Sequence, residues 1–386
     1  MPQPHTTEAL IVGGGPAGLA ASIALRQRGI DCVVIEARLR VSAGSPAGID
    51  KSCGEGLMPH SREILSGLGV TLSEADGHPF HGIRFANCLH TVDACFPGRP
   101  GIGVRRPHLH SLLAQRAEQA GATLLFNSHV QLPANPIGSN TALLNGQPIH
   151  FRWLIGADGQ ASSVRRWAGL DATRKHSLRY GFRTHYRVAP WSDYVEVHWG
   201  SHGQLYITPV APECVCVVYI TRNPHCDRAN LLADFPAVAA RLSGAEIVSP
   251  QRGAVSATCK LRRVASENVA LIGDASGSAD AITGEGLAIS FRQAIALADS
   301  IASGSLAPYR DQHAAIARLP HSMASLMLLM DRWPALQVRS IRTLAENPGV
   351  FAELLQAHTG HRRLPAVVLR RAPVFGWRFL TQGAGA

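Results

Sequence analysis

The chain has 386 residues, enough for two or three domains, and its 46% hydrophobic and 17% charged content excludes a disordered chain. No apolar run reaches the roughly 20 residues of a membrane-spanning helix, and residues 1–8 lack the features of a signal peptide, so we expect a cytoplasmic protein. The net charge of +10 does not indicate nucleic-acid binding, because no recognition motif accompanies it.

The first predicted elements form a β-α-β unit around a glycine-rich turn. An apolar run, Ala9–Val12, leads into glycines with the G-x-G-x-x-G spacing at positions 13, 15 and 18. A helix over residues 17–28 follows and stops at Gly29, and the β-branched run 32–35 ends in Glu36. This order is typical of dinucleotide binding, and the alternative is an ordinary tight strand–helix turn.

Each residue of this fingerprint has an expected role. Gly13 makes the tight turn, Gly15 lets a pyrophosphate approach the backbone, and Gly18 lets the helix pack closely on the strand. The helix N-terminus favours the negative charge of the phosphates. Glu36 is expected to accept hydrogen bonds from the adenosine ribose hydroxyls.

The following segment mixes a loop, helices and short strands. Residues 37–52 are rich in Gly, Ser, Ala and Pro, and they lead into Cys53-Gly54-Glu55-Gly56-Leu57 and a short helix over 59–68. Residues 82–97 predict one or two strands, and a helix is expected from Arg106 to about Ala120. Two later runs, 122–130 and 151–156, predict strands that return to the parallel sheet.

The pattern changes in the second half of the chain. Short alternating runs predict an antiparallel sheet, inserted as a second domain, over residues 179–188, 194–199, 204–209, 214–221 and 253–262. A buried strand is then expected over 268–274 and a helix over 285–301. Residues 308–386 are predicted to be helical.

Three further motifs extend the dinucleotide prediction to FAD. Asp158 and Asp274 each follow a predicted strand, and Gly284 and Gly286 open the next predicted helix. FAD is long, so strand ends distant in sequence must each hold a part of it, with Asp274 accepting from the ribityl hydroxyls. The glycines leave helix N–H groups open to the pyrimidine edge of the flavin. The alternative for each aspartate is a helix or turn cap.

This ordered set of motifs resembles the group A flavoprotein monooxygenases of the p-hydroxybenzoate hydroxylase fold. The Cys53–Leu57 and 273–286 elements look even more like the geranylgeranyl reductase branch of that superfamily. The resemblance covers roughly residues 8–305. It implies non-covalent FAD, NADH or NADPH as electron donor, and FAD contacts from Arg106, with Arg105 as the alternative.

We accordingly predict an α/β (α+β) fold with a discontinuous Rossmann-type FAD-binding domain, an inserted antiparallel substrate domain and a helical C-terminus. The expected ranges are 1–75, 101–175 and 264–306 for the first domain, 76–100 and 176–263 for the second, and 307–386 for the C-terminal region. The predicted cofactor-binding residues are Gly13, Gly15, Pro16, Ala17, Gly18, Glu36, Ala37, Arg38, Arg106, Val130, Asp158, Gly273, Asp274, Gly284 and Gly286.

Several departures from the related families bear on the substrate. The Y-x-W-x-F-P element of geranylgeranyl reductases is matched only by a Tyr and a Pro, at positions 206 and 209. Gly277 lies where hydroxylases usually carry a His, and the W-x-W-x-I-P motif and catalytic lysine of flavin-dependent halogenases are not evident. The loss of the Trp and Phe disfavours a long prenyl substrate.

Two residues are catalytic candidates, each with a structural alternative. Cys53 either gates or donates a proton beside the flavin, or it fills a tight loop. Tyr206 either offers a polar group to the cavity, or it is a buried tyrosine bonded to a backbone carbonyl. The eight cysteines and 18 histidines show no metal-ligand spacing, so we predict no metal.

The favoured activity is monooxygenation, with O₂, of a hydrophobic aromatic or polyketide-like molecule. The alternatives are an ene-reductase of isoprenoid or lipid double bonds and a flavin-binding protein without turnover. The basic and apolar run 361–379 predicts either a peripheral membrane contact or an ordinary helix with core anchors. The sequence does not indicate an oligomeric state.

Overall fold

A computed structural model describes residues 5–39, 49–134, 138–171, 173–225 and 231–360. Its strands, in chain order, are β1 (Thr6–Val12), β2 (Cys32–Ile35), β3 (Gly56–Leu57), β4 (His78–Phe80), β5 (Gly82–Ala86), β6 (Thr91–Cys95), β7 (Gly101–Gly103), β8 (Thr123–Leu125), β9 (Val130–Gln131), β10 (Thr141–Leu144), β11 (Gln147–Gly156), β12 (Thr173–Arg187), β13 (Tyr194–Trp199), β14 (Gly203–Ala211), β15 (Cys214–Thr221), β16 (Glu246–Ile247), β17 (Arg252–Leu261), β18 (Ala265–Ser266) and β19 (Val269–Leu271).

The helices are α1 (Pro16–Arg26), α2 (Pro59–Gly67), α3 (Arg106–Gln119), α4 (Ser163–Trp167), α5 (Pro236–Leu242), α6 (Gly286–Ala302), α7 (Ala307–Arg332), α8 (Pro334–Glu346) and α9 (Pro348–His358). Short 3₁₀ turns occupy Gly273–Ser276 and Ala281–Thr283. In the described part of the chain, no helix has both the length and the hydropathy that a membrane crossing requires.

The first sheet carries the glycine fingerprint at its centre. Its strand order is β18-β19-β11-β1-β2-β8, and β19, β11, β1, β2 and β8 run parallel to one another. The residues Ala9–Ile11 of β1 are fully buried, as expected for a central strand that is covered on both faces. Because parallel strands end at the same edge, the loops after β1, β2, β11 and β19 meet there.

Close packing of α1 on β1 explains two of the fingerprint glycines. Gly13 has φ +111°, a conformation that favours glycine. A Cβ atom at Gly18 would lie 1.9 Å from the carbonyl oxygen of Gly13, so no larger residue fits. The helix begins at Pro16, where the fixed φ of proline suits a first helical turn.

The second sheet lies beyond this edge and has the order β16-β12-β15-β14-β13-β5-β6, with β17 on β12. All its pairs are antiparallel except β13 with β5. The helices α7, α8 and α9 pack against this sheet through a shared apolar cluster that includes Phe85, Trp199, Met327, Ile341 and Phe351. A small sheet, β3-β7-β4, includes the end of the Cys53–Leu57 segment as its strand β3.

The predicted fold class is therefore confirmed, although several boundaries shift by a few residues. Helix α1 ends at Arg26 rather than residue 28, and the predicted strand over 122–130 is two short strands, β8 and β9. The strands β5 and β6 join the second sheet. The basic and apolar run 361–379 lies outside the described residues, and the domain ranges stay predictions.

Candidate cofactor and substrate site

A cavity of about 890 Å³ extends from the carboxyl edge of the first sheet to the space between the second sheet and the C-terminal helices. It brings together most of the predicted cofactor-binding residues and both catalytic candidates. Its lining includes Gly13, Gly15, Pro16, Ala17, Glu36, Ala37, Arg38, Cys53, Arg106, Val130, Asp158, Tyr206, Asp274, Gly284 and Gly286. Gly18 and Gly273 do not line the cavity. Gly18 contributes to the packing of α1 behind the turn.

Glu36 is held at the end of β2 by two backbone groups. The amide N–H of Gly14 donates to its Oε2 at 2.8 Å, and the N–H of Arg38 donates to its Oε1 at 2.9 Å. Each carboxylate oxygen can accept more than one hydrogen bond, so both can still accept from the hydroxyls of a ribose. Glu36 lines the cavity, as its predicted role requires.

The position and hydrogen bonding of Arg106 show whether the site fits a diphosphate. Its side chain lies at the start of α3 and lines the cavity, whereas Arg105 is not among the lining residues. The Nε of Arg106 is buried and has no hydrogen-bond partner among the described residues. Gly15 lines the cavity as well, and a Cβ atom there would meet nothing within 4 Å. A guanidinium whose Nε has no partner among the described residues, next to an open backbone and a helix N-terminus, fits the phosphates of FAD.

The two predicted aspartates already have partners within the chain. Asp158 accepts from the backbone N–H groups of Ser163 and Val164 at the start of α4, which is the capping role given as its alternative. Asp274 forms an ion pair with Lys51, with 2.6 Å between Nζ and Oδ2. Both aspartates line the cavity, and their roles in FAD binding stay predictions.

The two glycines at the start of α6, Gly284 and Gly286, leave backbone open to the cavity. Gly284 has φ +67°, in the left-handed region, and Gly286 is the first residue of α6. A Cβ atom at Gly286 would meet nothing within 4 Å. The first N–H groups of a helix have no intrahelical partner, so this end of α6 suits a group that carries negative charge.

Glu55 is a buried residue whose importance the sequence interpretation missed. It has φ +59° and is only 2% exposed. Its carboxylate accepts from the Nε2 of His185 at 2.7 Å, from Arg183 at 3.0 Å and from the backbone N–H of Arg106 at 2.9 Å. We call Glu55, Arg183 and His185 the Glu55 cluster. It connects the Cys53–Leu57 segment to β12 of the second sheet.

The protonation states of this cluster follow from its contacts. Burial by itself raises the pKa of Glu55, but the hydrogen bond from His185 and the charge of Arg183 outweigh it and lower that pKa. Burial lowers the pKa of His185, so the imidazole is neutral. Its Nε2–H then donates to Glu55, and its Nδ1 accepts from the hydroxyl of Ser249 at 2.7 Å. The sequence offers one indication, because Arg183 and His185 share a strand face at a spacing of two.

The same cluster does not form a convincing metal site. Glu55, His185 and Cys216 offer ligand atoms within 4.8 Å of one another. Burial raises the pKa of the Cys216 thiol well above its usual value, so the thiol is protonated in the metal-free protein. The guanidinium of Arg183 also brings positive charge to the carboxylate. We therefore interpret the group as a hydrogen-bonded network.

The catalytic candidates lie along the cavity, and Tyr206 has a partner of its own. The hydroxyl of Tyr206 donates to the carbonyl of Ile282 at 3.1 Å, which is the structural alternative named for it. Cys53 is partly buried, and its Sγ accepts from the N–H of Glu55 at 3.4 Å. Catalytic roles for both residues stay predictions.

The far part of the cavity, which we call the chamber, is strongly apolar. The second sheet and the helices α7–α9 contribute its walls, which include Phe85, Val197, Ile220, Met327, Leu344 and Phe351. None of the described lining residues from these elements is Asp, Glu, Lys or Arg. The sequence interpretation did not place the C-terminal helices at the cavity. The chamber suits an uncharged, hydrophobic molecule.

Comparisons with known proteins agree with this geometry. The FAD binding domain family matches residues 6–305. The chain is 24% identical to the Dialkyldecalin synthase of Streptomyces rugosporus, over 89% of this chain and 76% of that protein. It is 26% identical to the Digeranylgeranylglycerophospholipid reductase of Methanothrix thermoacetophila, over 77% of this chain and 79% of that protein.

Among solved structures, the flavin-dependent brominase Bmp2 superposes with a TM-score of 0.77 at 17% identity, over 97% of this chain and 100% of its own. At that identity the likeness shows the fold alone. Together with the family match, it confirms the predicted superfamily. The chain therefore belongs to the FAD binding domain family and is an FAD-dependent oxidoreductase with the fold of the group A flavoprotein monooxygenases and their geranylgeranyl reductase-like branch.

Proposed function

We propose that the protein is a monooxygenase that uses NADH or NADPH and hydroxylates a hydrophobic aromatic or polyketide-like molecule. The observation that carries this proposal is the continuity of one cavity, from the FAD-binding edge of the first sheet to a chamber whose walls carry no carboxylate, ammonium or guanidinium group among the described residues. A chamber of this kind favours apolar substrates.

FAD, when bound, supplies electron transfer from the nicotinamide and activation of O₂. The chain's own residues would bind and orient it: the turn at Gly13 and Gly15 and the guanidinium of Arg106 would hold the phosphates, and Glu36 the ribose. The N-terminus of α6 at Gly286 would offer its positive backbone dipole to the pyrimidine edge of the flavin. The apolar faces of α7–α9 would exclude water from the reacting atoms.

A second candidate, an ene-reductase, is favoured by one observation. Cys53 lines the cavity and lies in the Cys53–Leu57 segment, which also resembles the reductase branch. Reduction of a double bond by a flavin hydride needs a proton for the second carbon, and a cavity-facing thiol can donate one. The relative from Methanothrix thermoacetophila is named as such a reductase.

Turnover in ¹⁸O₂ distinguishes these functions. The holoprotein is incubated with NADH or NADPH and 4-hexylphenol, and the product is analysed by mass spectrometry. We expect a hydroxylated product that carries one ¹⁸O atom. Saturation of geranylgeraniol under anaerobic conditions without that product would establish the reductase instead. Nicotinamide oxidation that neither compound stimulates would overturn both and leave a flavin-binding protein without turnover.

A pair of variants tests whether the chamber holds the substrate. Met327→Trp fills the chamber, because Met327 lines it and is 9% exposed. Leu329→Trp is the matched control two residues away on α7, where the side chain is 49% exposed and outside the lining. We expect Met327→Trp to retain FAD and lose hydroxylation, and Leu329→Trp to keep both. Equal activity of the two variants would exclude the chamber.

A further inference from the structure

The last turn of α9 places a histidine in an otherwise apolar wall of the chamber. Phe351, Leu354, Leu355 and His358 all line the cavity, and their spacing of three, four and seven residues puts them on one face of the helix. Three members of this stripe are apolar. The imidazole of His358 is therefore the exception in its surroundings, and its side chain is only 10% exposed.

A buried carboxylate lies beside this imidazole, in a charge contact that does not meet hydrogen-bond geometry. The Nε2 of His358 lies 3.3 Å from the Oε1 of Glu285, and the Nε2 of His60 lies 3.2 Å from the other carboxylate oxygen. We call Glu285, His60 and His358 the Glu285 cluster. Glu285 is the residue before α6 and lies between Gly284 and Gly286, so the cluster joins the chamber to the FAD-binding edge of the cavity.

The other ring nitrogen of His358 has no hydrogen-bond partner. Its Nδ1 is buried, and no described residue lies within bonding distance and geometry. A buried polar atom without a partner costs about 1–3 kcal/mol, and a ligand that bonds to Nδ1 would remove this cost. In the neutral tautomer whose proton lies on Nε2, facing the Glu285 carboxylate, Nδ1 is an acceptor.

We propose that the Nδ1 of His358 accepts a hydrogen bond from a hydroxyl group of the substrate. The substrate class is then an apolar molecule with one hydroxyl, such as a phenol or an enol, rather than a pure hydrocarbon or an ether. Glu285 is the positioning residue, because it fixes the tautomer without touching the substrate. This inference rests on the proposed function, since it takes the chamber to be the substrate site.

Two probes with the same carbon skeleton test the proposal on the FAD-loaded protein. 4-Hexylphenol carries the hydroxyl, and 4-hexylanisole replaces its proton by a methyl group. Binding of each is measured through the change in flavin absorbance. We expect the wild-type protein to bind the phenol about tenfold more tightly, as one hydrogen bond predicts.

Variants distinguish the contribution of the hydrogen bond to the phenol preference from the contribution of the chamber's shape. His358→Phe should bring the preference for the phenol to about one, His358→Gln should restore part of it because its amide oxygen accepts, and Glu285→Gln should lower it. His202→Phe is the matched control, because His202 has an 80% exposed side chain and lies outside the cavity lining. That control should keep the wild-type preference.

The results distinguish this inference from the proposed function. If both probes bind equally well to the wild-type protein, the histidine subsite is wrong and the apolar chamber stands. If His358→Phe keeps the preference for the phenol, the hydrogen bond comes from another residue and the inference is overturned. If neither probe changes the flavin spectrum while the protein retains FAD, the chamber itself is not the substrate site.

Discussion

The Glu55 cluster and the Glu285 cluster both bury a carboxylate beside imidazoles, yet they are completed differently. In the Glu55 cluster both ring nitrogens of His185 have partners, Glu55 on one side and Ser249 on the other. In the Glu285 cluster the Nδ1 atoms of His60 and His358 have none among the described residues. The first cluster joins two sheets, whereas the second reaches the wall of the chamber.

This difference separates a structural network from a binding site. A buried charge must be paired and hydrogen-bonded, and a fully paired group fixes the geometry around it. In the Glu55 cluster the carboxylate and both ring nitrogens of His185 are paired in this way, although the Nε of Arg183 has no partner among the described residues. These contacts hold the Cys53–Leu57 segment against β12. A cluster with a free acceptor is less stable by itself and is better suited to receive a ligand. Three predictions test this contrast.

The largest expected effect is on stability, from Glu55→Gln. The change removes one of the two carboxylates that pair with Arg183, and an amide that keeps its oxygen toward Arg183 turns its hydrogens toward the Nε2–H of His185. Asp50 still pairs with Arg183, so we expect the free energy of unfolding to fall by about 3–4 kcal/mol, in the lower part of the range for a broken buried ion pair. Glu285→Gln loses one well-formed hydrogen bond, from His60, and should cost about 1–2 kcal/mol. Urea unfolding of the holoprotein measures both.

Glu63→Gln is the control for this pair, because Glu63 lies on the exposed side of α2. It should stay within about 0.5 kcal/mol of the wild-type protein. Equal losses for Glu55→Gln and Glu285→Gln would contradict the distinction between the two clusters.

An intermediate effect is expected on the pH dependence of stability, because some buried histidines are neutral in the native protein. Burial lowers the pKa of His313 to about 4, and burial also lowers the pKa of His185. In the unfolded chain these imidazoles become protonated near pH 6.5, whereas in the native protein they stay neutral to lower pH. The free energy of unfolding therefore falls as the pH drops from about 6.5 towards 4. For His313 this loss amounts to about 3 kcal/mol at most.

Unfolding curves at a series of pH values measure this slope. His313→Gln and His185→Gln should each flatten it between about pH 6.5 and 5, because each removes one titrating group. The carboxylates Glu55 and Glu285, whose pKa values are lowered in the native state, add to the loss of stability only below about pH 4.5. Stability that stays constant from pH 7 to 5 would show that these histidines are protonated in the native protein.

The smallest expected effect comes from Tyr206→Phe. This change removes the hydrogen bond to the Ile282 carbonyl, which lies three residues before Glu285, and should cost about 1 kcal/mol. If the hydroxyl has only this structural role, kcat falls far less than the roughly hundredfold loss that removal of a general acid causes. Steady-state turnover with 4-hexylphenol measures it. A hundredfold fall in kcat with unchanged stability would establish Tyr206 as catalytic.

The sequence by itself determined the backbone geometry at the carboxyl edge of the first sheet. Gly13, Gly18 and Glu36 could be predicted because their requirements are local: a left-handed turn, a close helix–strand contact and an acidic residue at a strand end. Parallel strands also end at one edge, so remote motifs such as Asp274 could be placed beside them. These inferences depend on backbone conformation and strand direction, which short stretches of sequence encode.

Only the tertiary structure decided the rest of the site. Glu55 meets Arg183 across 128 residues of chain, and no local pattern specifies that pairing. Asp158 is a cap for α4, although its motif also fits FAD. The apolar stripe of α9 could face any core, and its position over the cavity depends on how the helices pack on the second sheet. Contacts between residues distant in the chain depend on how all the helices and sheets pack together, and no single sequence motif encodes that packing.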